Sequence, residues 1–179
     1  ATMGGVVAEN AGGPAGVKYG VTKHYVLGLE VVLADGSVIN VGGATSKNVT
    51  GYDLPMLFTG SEGTLGVITK ITVRLLPKPP ATKTLMAVYK DVTVASENVY
   101  RILSAGIVPS KIELLDNWVI RRIEEMMPIG LPTDADAVLL FECDGVPSAV
   151  EEEAKHIAEV CQEGGAVSVR IAKDPVSYT

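Results

Sequence analysis

Aromatic side chains are scarce in this chain: two Phe, one Trp and six Tyr make up 5% of 179 residues. With 47% hydrophobic and 20% charged residues, a core is affordable, but it must be packed from Val, Leu, Ile and Ala. Cysteine is almost absent. Cys143 and Cys161 stand apart without metal-ligand spacing, which excludes a disulfide scaffold and leaves two free, buried thiols of a reducing compartment as the expectation. Histidine is limited to His24 and His156, each expected to be structural or exposed. Positive charge is outnumbered, with 15 Lys and Arg against 21 Asp and Glu. The net charge of −6 and pI near 4.9 argue against nucleic acid as a partner, because phosphate binding wants clustered cations. No apolar run approaches the roughly 18 residues of a spanning helix, so no transmembrane segment is expected. The first residues lack both a basic stretch and an apolar block, so no signal peptide is expected and the cytoplasm is the expected location.

Glycine is what the chain has in quantity. The opening ATMGGVVAENAGGPAGVKYG carries Gly4, Gly5, Gly12, Gly13, Gly16 and Gly20. Ordering glycine costs conformational entropy, so such a cluster in a folded segment needs a compensating contact. A loose tail would be polar or charged, and Val6, Val7, Ala8 and Ala11 are apolar. No G-K-[ST] follows, which excludes a Walker loop. The G-x-G-x-x-G spacing and a preceding strand are also missing, which excludes a Rossmann fingerprint. What remains is a looping backbone whose N–H groups can make an anion-binding concavity, or a pair of tight turns. A second glycine segment, GSEGTLGVIT (60–69), leads into a strand, with Glu62 placed to accept hydrogen bonds from a ribose or from nearby N–H groups.

Apolar runs flank Asp35-Gly36 in VLGLEVVLADGSVINVGG, a hairpin signal. The polar stretch up to Gly66 reads as loops around one short apolar turn, Leu54 to Phe58. Residues 67–75 alternate as a strand, with Val67, Thr69, Ile71, Val73 and Leu75 on one face. Pro77, Pro79 and Pro80 end it and mark a boundary, giving expected domains at 1–80 and 81–179. Beyond lie a strand (84–89), a helix (93–106) with Val94, Val99, Ile102 and Leu103 on one side, and a strand (109–116). An amphipathic helix (117–127), a strand (136–145), a helix (147–165) capped by Ser148 with an acidic first turn, and a strand (166–172) follow. The order β-α-β-α-β-α-β points to a ferredoxin-like sandwich with one extra helix. Trp118, Met126 and Met127 fit an apolar helix face. Arg121-Arg122 and Glu124-Glu125 can form helix-spaced pairs, and Glu113 and Asp116 read as surface or capping residues.

The pieces TMGGVVAENAGG, KYG, VLGLEVVLADG, TGYDLPMLFTGSEGTLGVIT and VRLLPKPP together resemble the second half of the flavin domain of vanillyl-alcohol-oxidase-like FAD-linked oxidases. The run containing ELLDNWVIRRIEE and LLFECDG resembles the start of that family's C-terminal cap. Within the family, the chain is most similar to the glycolate-oxidising branch, with D-lactate and D-2-hydroxyglutarate dehydrogenases as neighbours. The resemblance implies an α+β fold: the C-terminal half of a PCMH-type FAD-binding domain, then a ferredoxin-like cap. It implies FAD as cofactor and a 2-hydroxy acid, glycolate foremost, as substrate.

Carried over by position, the cofactor contacts are Thr2, Met3, Gly4, Gly5, Ala8, Asn10, Gly12 and Gly13, with Tyr19 and Gly20 beside them. Glu62, Gly63, Val67 and Ile68 fall near the adenosine part. The family's PGGGTG-like loop and its histidine-rich H-x-x-G-D-G-N-x-H segment have no counterpart here. The chain therefore reads as a middle fragment, expected to hold no catalytic residue and no metal ligand, to bind FAD weakly or not at all, and to be inactive alone. Implied partners are a second flavin-domain subunit and an iron–sulfur subunit, through which a peripheral membrane association could arise. Two rival readings remain: a ferredoxin-like regulatory or small-molecule-binding module, and a structural fragment that forms a homodimer through unpaired sheet edges.

Overall fold

The glycine-rich opening is not all loop. In the computed structural model, which describes residues 1–172, Met3–Ala8 forms a helix, α1. Thr2 caps it by accepting the Gly5 N–H at 3.2 Å. Asn10, at φ 50°, closes it: the Asn10 N–H donates to the Val7 carbonyl and the Ala11 N–H to the Val6 carbonyl. This is a Schellman ending with asparagine in the left-handed position where glycine is commoner. The fully buried Val7 supplies what holds so glycine-rich a helix in place.

Two compact units divide the described chain, one of Ala1–Gly16 and Gly20–Pro77, the other of Val17–Tyr19 and the residues from Lys78 onward. In the first, β1 (Val26–Val32), β2 (Val38–Gly42) and β3 (Val67–Val73) form an antiparallel sheet in the order β2-β1-β3. The Asp35-Gly36 hairpin is present: Gly36 takes φ 83° and the Asp35 carboxylate accepts the Ser37 N–H at 2.9 Å. The four-residue helix α2 (Gly16–Tyr19) precedes β1, and a second short helix, α3 (Leu54–Phe58), is capped by Asp53, whose Oδ1 accepts the Met56 N–H. Val7, Leu29, Val31, Val41 and Phe58 make the core, with Ile68 and Ile71 packed against it.

Ile68 and Ile71 lie three apart, so simple alternation along β3 fails. Glu30 pairs with Lys70 but Val31 pairs with Ile68, which leaves Thr69 as an extra residue. A bulge of this kind resets the pleat. It moves Val67 to the outside, 64% exposed, and sends Ile68 rather than its neighbour inward.

The second unit runs β4 (Ala81–Tyr89), α4 (Val92–Ser104), β5 (Lys111–Asp116), α5 (Asn117–Met126), β6 (Ala137–Gly145), α6 (Pro147–Glu163) and β7 (Ser168–Ile171). Its sheet order is β5-β6-β4-β7 with every neighbouring pair antiparallel, the ferredoxin-like arrangement. One sheet face packs Leu85, Ala87, Tyr89, Leu139 and Phe141 against Ile102 of α4 and Ala154, Ile157 and Cys161 of α6. The extra helix α5 serves the opposite face, where Ile120 meets Met86, Val88 and Val138.

Several local expectations change. Trp118, Met126 and Met127 lie 67%, 87% and 58% exposed, because α5 buries the stripe through Ile120 instead. Leu103 is 39% exposed, and Asn98 is the side chain that α4 buries with Ala95 and Ile102; its Nδ2 donates to the Gly164 carbonyl. Helix α6 starts at Pro147 with Val146 as its cap residue, so Ser148 is inside the first turn, which holds no acidic residue. Proline suits the first helical position, where its missing N–H leaves one fewer donor unsatisfied and its fixed φ is already helical. Expectations reaching 173–179 fall outside the described residues.

Candidate functional site

The two glycine segments meet through main-chain hydrogen bonds. The Gly60 N–H donates to the Val7 carbonyl at 3.0 Å and the Glu62 N–H to the Ala8 carbonyl at 2.9 Å. The loop before β3 thus satisfies carbonyls at the end of α1, which a helix terminus otherwise leaves open. Glu62 takes φ 51° to do so, and its side chain is exposed. Asn10 adds a third tie: its Oδ1 accepts the Lys23 N–H at 2.9 Å.

What the glycines face separates them. A Cβ at Gly4, Gly13 or Gly63 would meet no other atom within 4 Å. Packing within the chain therefore does not demand glycine at these positions, but Gly63 takes φ 76° and is fixed by its left-handed backbone, whereas at Gly4 the helix itself would prefer alanine. By contrast, a Cβ at Gly5 would lie 3.3 Å from Thr2 Oγ1 and one at Gly12 3.2 Å from Val21. Gly20 is fixed from inside the fold: it takes φ 77°, and a Cβ there would strike the His24 ring. That ring is structural, its Nδ1 accepting the Val21 N–H at 3.1 Å.

Thr2, Met3, Ala8 and Asn10 thus line the same helix and its exit as Gly4, Gly5, Gly12 and Gly13, with the Glu62–Gly63 turn tied alongside. Val67 presents its side chain outward, whereas Ile68 is half-buried against the core. Tyr19 groups with the second unit, where its hydroxyl donates to Asp144 Oδ2 at 2.6 Å. Lys18 donates to Oδ1 and to the main-chain carbonyl of the same aspartate. Asp144, 8% exposed, is a buried carboxylate fully met by a cation and a phenol. Neither Lys18 nor Asp144 was marked by the sequence, because their pairing spans 126 residues.

A separate open hollow of about 780 Å³ in the first unit is lined by Lys23, Asn40, Thr50, Tyr52 and Asp53 among others, and by none of the fourteen residues above. Its signal in the sequence was the long polar connection SKNVTGYD between β2 and α3, read as a loop. Both cysteines are buried and free. Burial, with Glu153 nearby, pushes the Cys143 thiol up to about 12, and burial raises Cys161 as well. Both are inert thiols at neutral pH. Among the described residues no cluster could hold a metal, and no helix is long and apolar enough to cross a membrane.

Solved structures share this fold. Alkyldihydroxyacetonephosphate synthase superposes with a TM-score of 0.78 at 18% identity, over 97% of this chain and 35% of that one. p-Cresol methylhydroxylase does so with a TM-score of 0.57 at 20% identity, over 82% of this chain and 34% of that one. Residues 78–178 match the family model described as FAD linked oxidases, C-terminal domain, and residues 1–42 match an FAD binding domain. The chain belongs to the FAD-linked oxidases.

Among its relatives, glycolate oxidase subunit GlcD of Bacillus subtilis is 50% identical over 172 residues, 96% of this chain and 37% of that protein. The Escherichia coli subunit of the same name is 44% identical over 173 residues, 97% of this chain and 34% of that protein. A D-lactate dehydrogenase of Archaeoglobus fulgidus is 37% identical over 175 residues, 96% of this chain and 38% of that protein. The chain thus spans little more than a third of the length of these relatives. The family match across residues 78–178 sets aside a free-standing regulatory module.

Proposed function

We propose that the protein to which this chain belongs oxidises glycolate to glyoxylate with FAD, and that residues 1–80 form the second half of its flavin domain and 81–179 the start of its cap. One observation carries the cofactor reading: Gly4 and Gly13 lack a side chain where neither space nor a left-handed backbone requires glycine, around a helix exit hydrogen-bonded to the turn at Glu62. Side-chain-free surface of this kind lets a ligand approach the main chain. When bound, FAD accepts the two electrons released as a 2-hydroxy acid becomes a 2-oxo acid, the Cα hydride and hydroxyl proton leaving together. The chain's own part is positional. Thr2, Met3, Gly4, Gly5, Ala8, Asn10, Gly12 and Gly13 with Gly20, Glu62, Gly63, Val67 and Ile68 form the cradle, which the Gly60 and Glu62 N–H groups hold rigid. Tyr19 sits beside the cradle in sequence only through its neighbour Gly20, its hydroxyl being committed to Asp144.

The substrate reading rests on the two GlcD relatives, and their naming as subunits supports partner subunits in general. That these are a second flavin-domain subunit and an iron–sulfur subunit, working in the cytoplasm, is part of the proposal and rests on the family resemblance alone. The D-lactate dehydrogenase relative supports D-lactate as the second substrate to test. The decisive experiment measures bound flavin in the purified parent protein carrying Gly4→Ala or Gly13→Val. Both should fold, since each Cβ has room, and both should lose most of their FAD. A full flavin complement in both would sink the cradle, and a higher kcat/KM for D-lactate than for glycolate would replace the substrate.

A further inference from the structure

The connection from α5 to β6 is bound by one stripe of α5. Asn117, Arg121 and Glu124 follow one another at spacings of four and three, so they share a helix face. All three reach main-chain atoms of the connection. Asn117 Nδ2 donates to the carbonyls of Thr133 and Ala135, and Arg121 Nε to that of Thr133. Glu124 does the opposite and accepts: Ile129, Gly130 and Leu131 donate their consecutive N–H groups to its carboxylate at 3.0–3.1 Å. Gly130 turns to φ 83° within this nest. Consecutive amides converging on one anion form the concavity that usually receives a phosphate or a free carboxylate. Here the anion is supplied from within.

We propose that Glu124 is a charge-operated latch: its ionised carboxylate holds residues 128–132 closed on α5, and neutralising it opens that segment while the sheet stays folded. The opening is local because the far end of the connection has its own anchors in Asn117 and in Ala135, which is fully buried. What it releases is Leu131, packed on the Met86, Val88 and Ile120 cluster, beside the already exposed Ile129. The charged groups around the carboxylate are few. Arg121 and Glu125 share its surface cleft, Arg122 is turned to Glu125, and Asp134 of the connection pairs with Lys90. Beneath α5 the strands present Met86, Val88 and Val138, and the same sheet face carries Glu113, Arg170 and the Lys111–Glu142 pair by register. The three amides hold the Glu124 carboxyl below the usual glutamate range, so the latch is closed at neutral pH and is lost as pH falls through that lowered value.

Amide hydrogen exchange on the 179-residue chain tests this with Glu124→Gln, which keeps the shape and removes the charge. Exchange of residues 129–131 should quicken about tenfold or more, as expected for losing charge-assisted bonds, with residues 138–143 of β6 unchanged. Unaltered exchange at 129–131 would overturn the latch. Equal quickening in β6 would overturn it too, since Glu124 would then support the whole unit rather than one segment.

Discussion

At the scale of single residues, Gly4 is where helix stability and the proposed cradle make opposite demands. It lies within a six-residue helix, where alanine is worth about 0.5–1 kcal/mol more than glycine. Gly4→Ala should therefore raise the midpoint of urea unfolding of the first unit while lowering flavin retention; a variant no more stable than the parent would mean that the helix needs glycine for its own sake. Asp144 offers the reverse case. Replacing it with Ala leaves Lys18 and Tyr19 without their shared partner in a mostly buried place. Stranding one partner of such a pair costs about 2–4 kcal/mol, discounted here because Lys18 is partly exposed. Thermal unfolding of the second unit reads that loss directly. Cys143 and Cys161 should resist a thiol reagent at pH 8 until the chain is unfolded, and rapid labelling of the native protein would contradict their burial.

Elements were legible in the sequence to different depths, and the reasons are local. The hairpin at Asp35-Gly36 and the turn at Leu54–Phe58 were readable because their signals lie within four or five residues. The bulge at Thr69 was not, since it exists only in the pairing of β3 with β1. It yields a direct test: Ile68→Ala should cost about 2 kcal/mol and Val67→Ala under about 0.5. Equal costs in urea unfolding would restore simple alternation. The helical character of residues 3–8 was hidden by its glycines and is carried by Thr2, Val7 and Asn10. On α5 the amphipathic helix lies where it was expected, but its apolar face was misplaced. Ile120 alone sinks fully into the core, while Glu124, expected in a pair with arginine, serves main-chain amides.

For the whole chain, acid should be the weak side. Hydrogen bonds from Lys70, Ser37, Thr93 and Lys83 hold Glu30, Asp35, Asp91 and Glu151 below their ordinary values. A carboxyl depressed on folding contributes stability above its unfolded value and loses it as pH falls through the folded one. The melting temperature should be flat from pH 6 to 8 and drop below about pH 4. A decline already at pH 6 would contradict this carboxylate origin. The order of strands and helices beyond Pro80 was readable end to end, because each helix carries its own period. The part-buried meeting of Lys18, Tyr19 and Asp144 was not, being set by the fold and not by any neighbouring residue.

Trp118 is the chain's only tryptophan, and it stands 67% exposed on α5 with the Arg122 guanidinium 5.8 Å from its ring centroid. The molecule therefore carries a single lamp, placed outdoors. Its emission in the folded state should already resemble that of the indole in water, so denaturation will shift its colour little. An optical titration that follows this signal alone would report a protein with hardly any transition, while the tyrosine-bearing interior around Tyr89 came apart unseen.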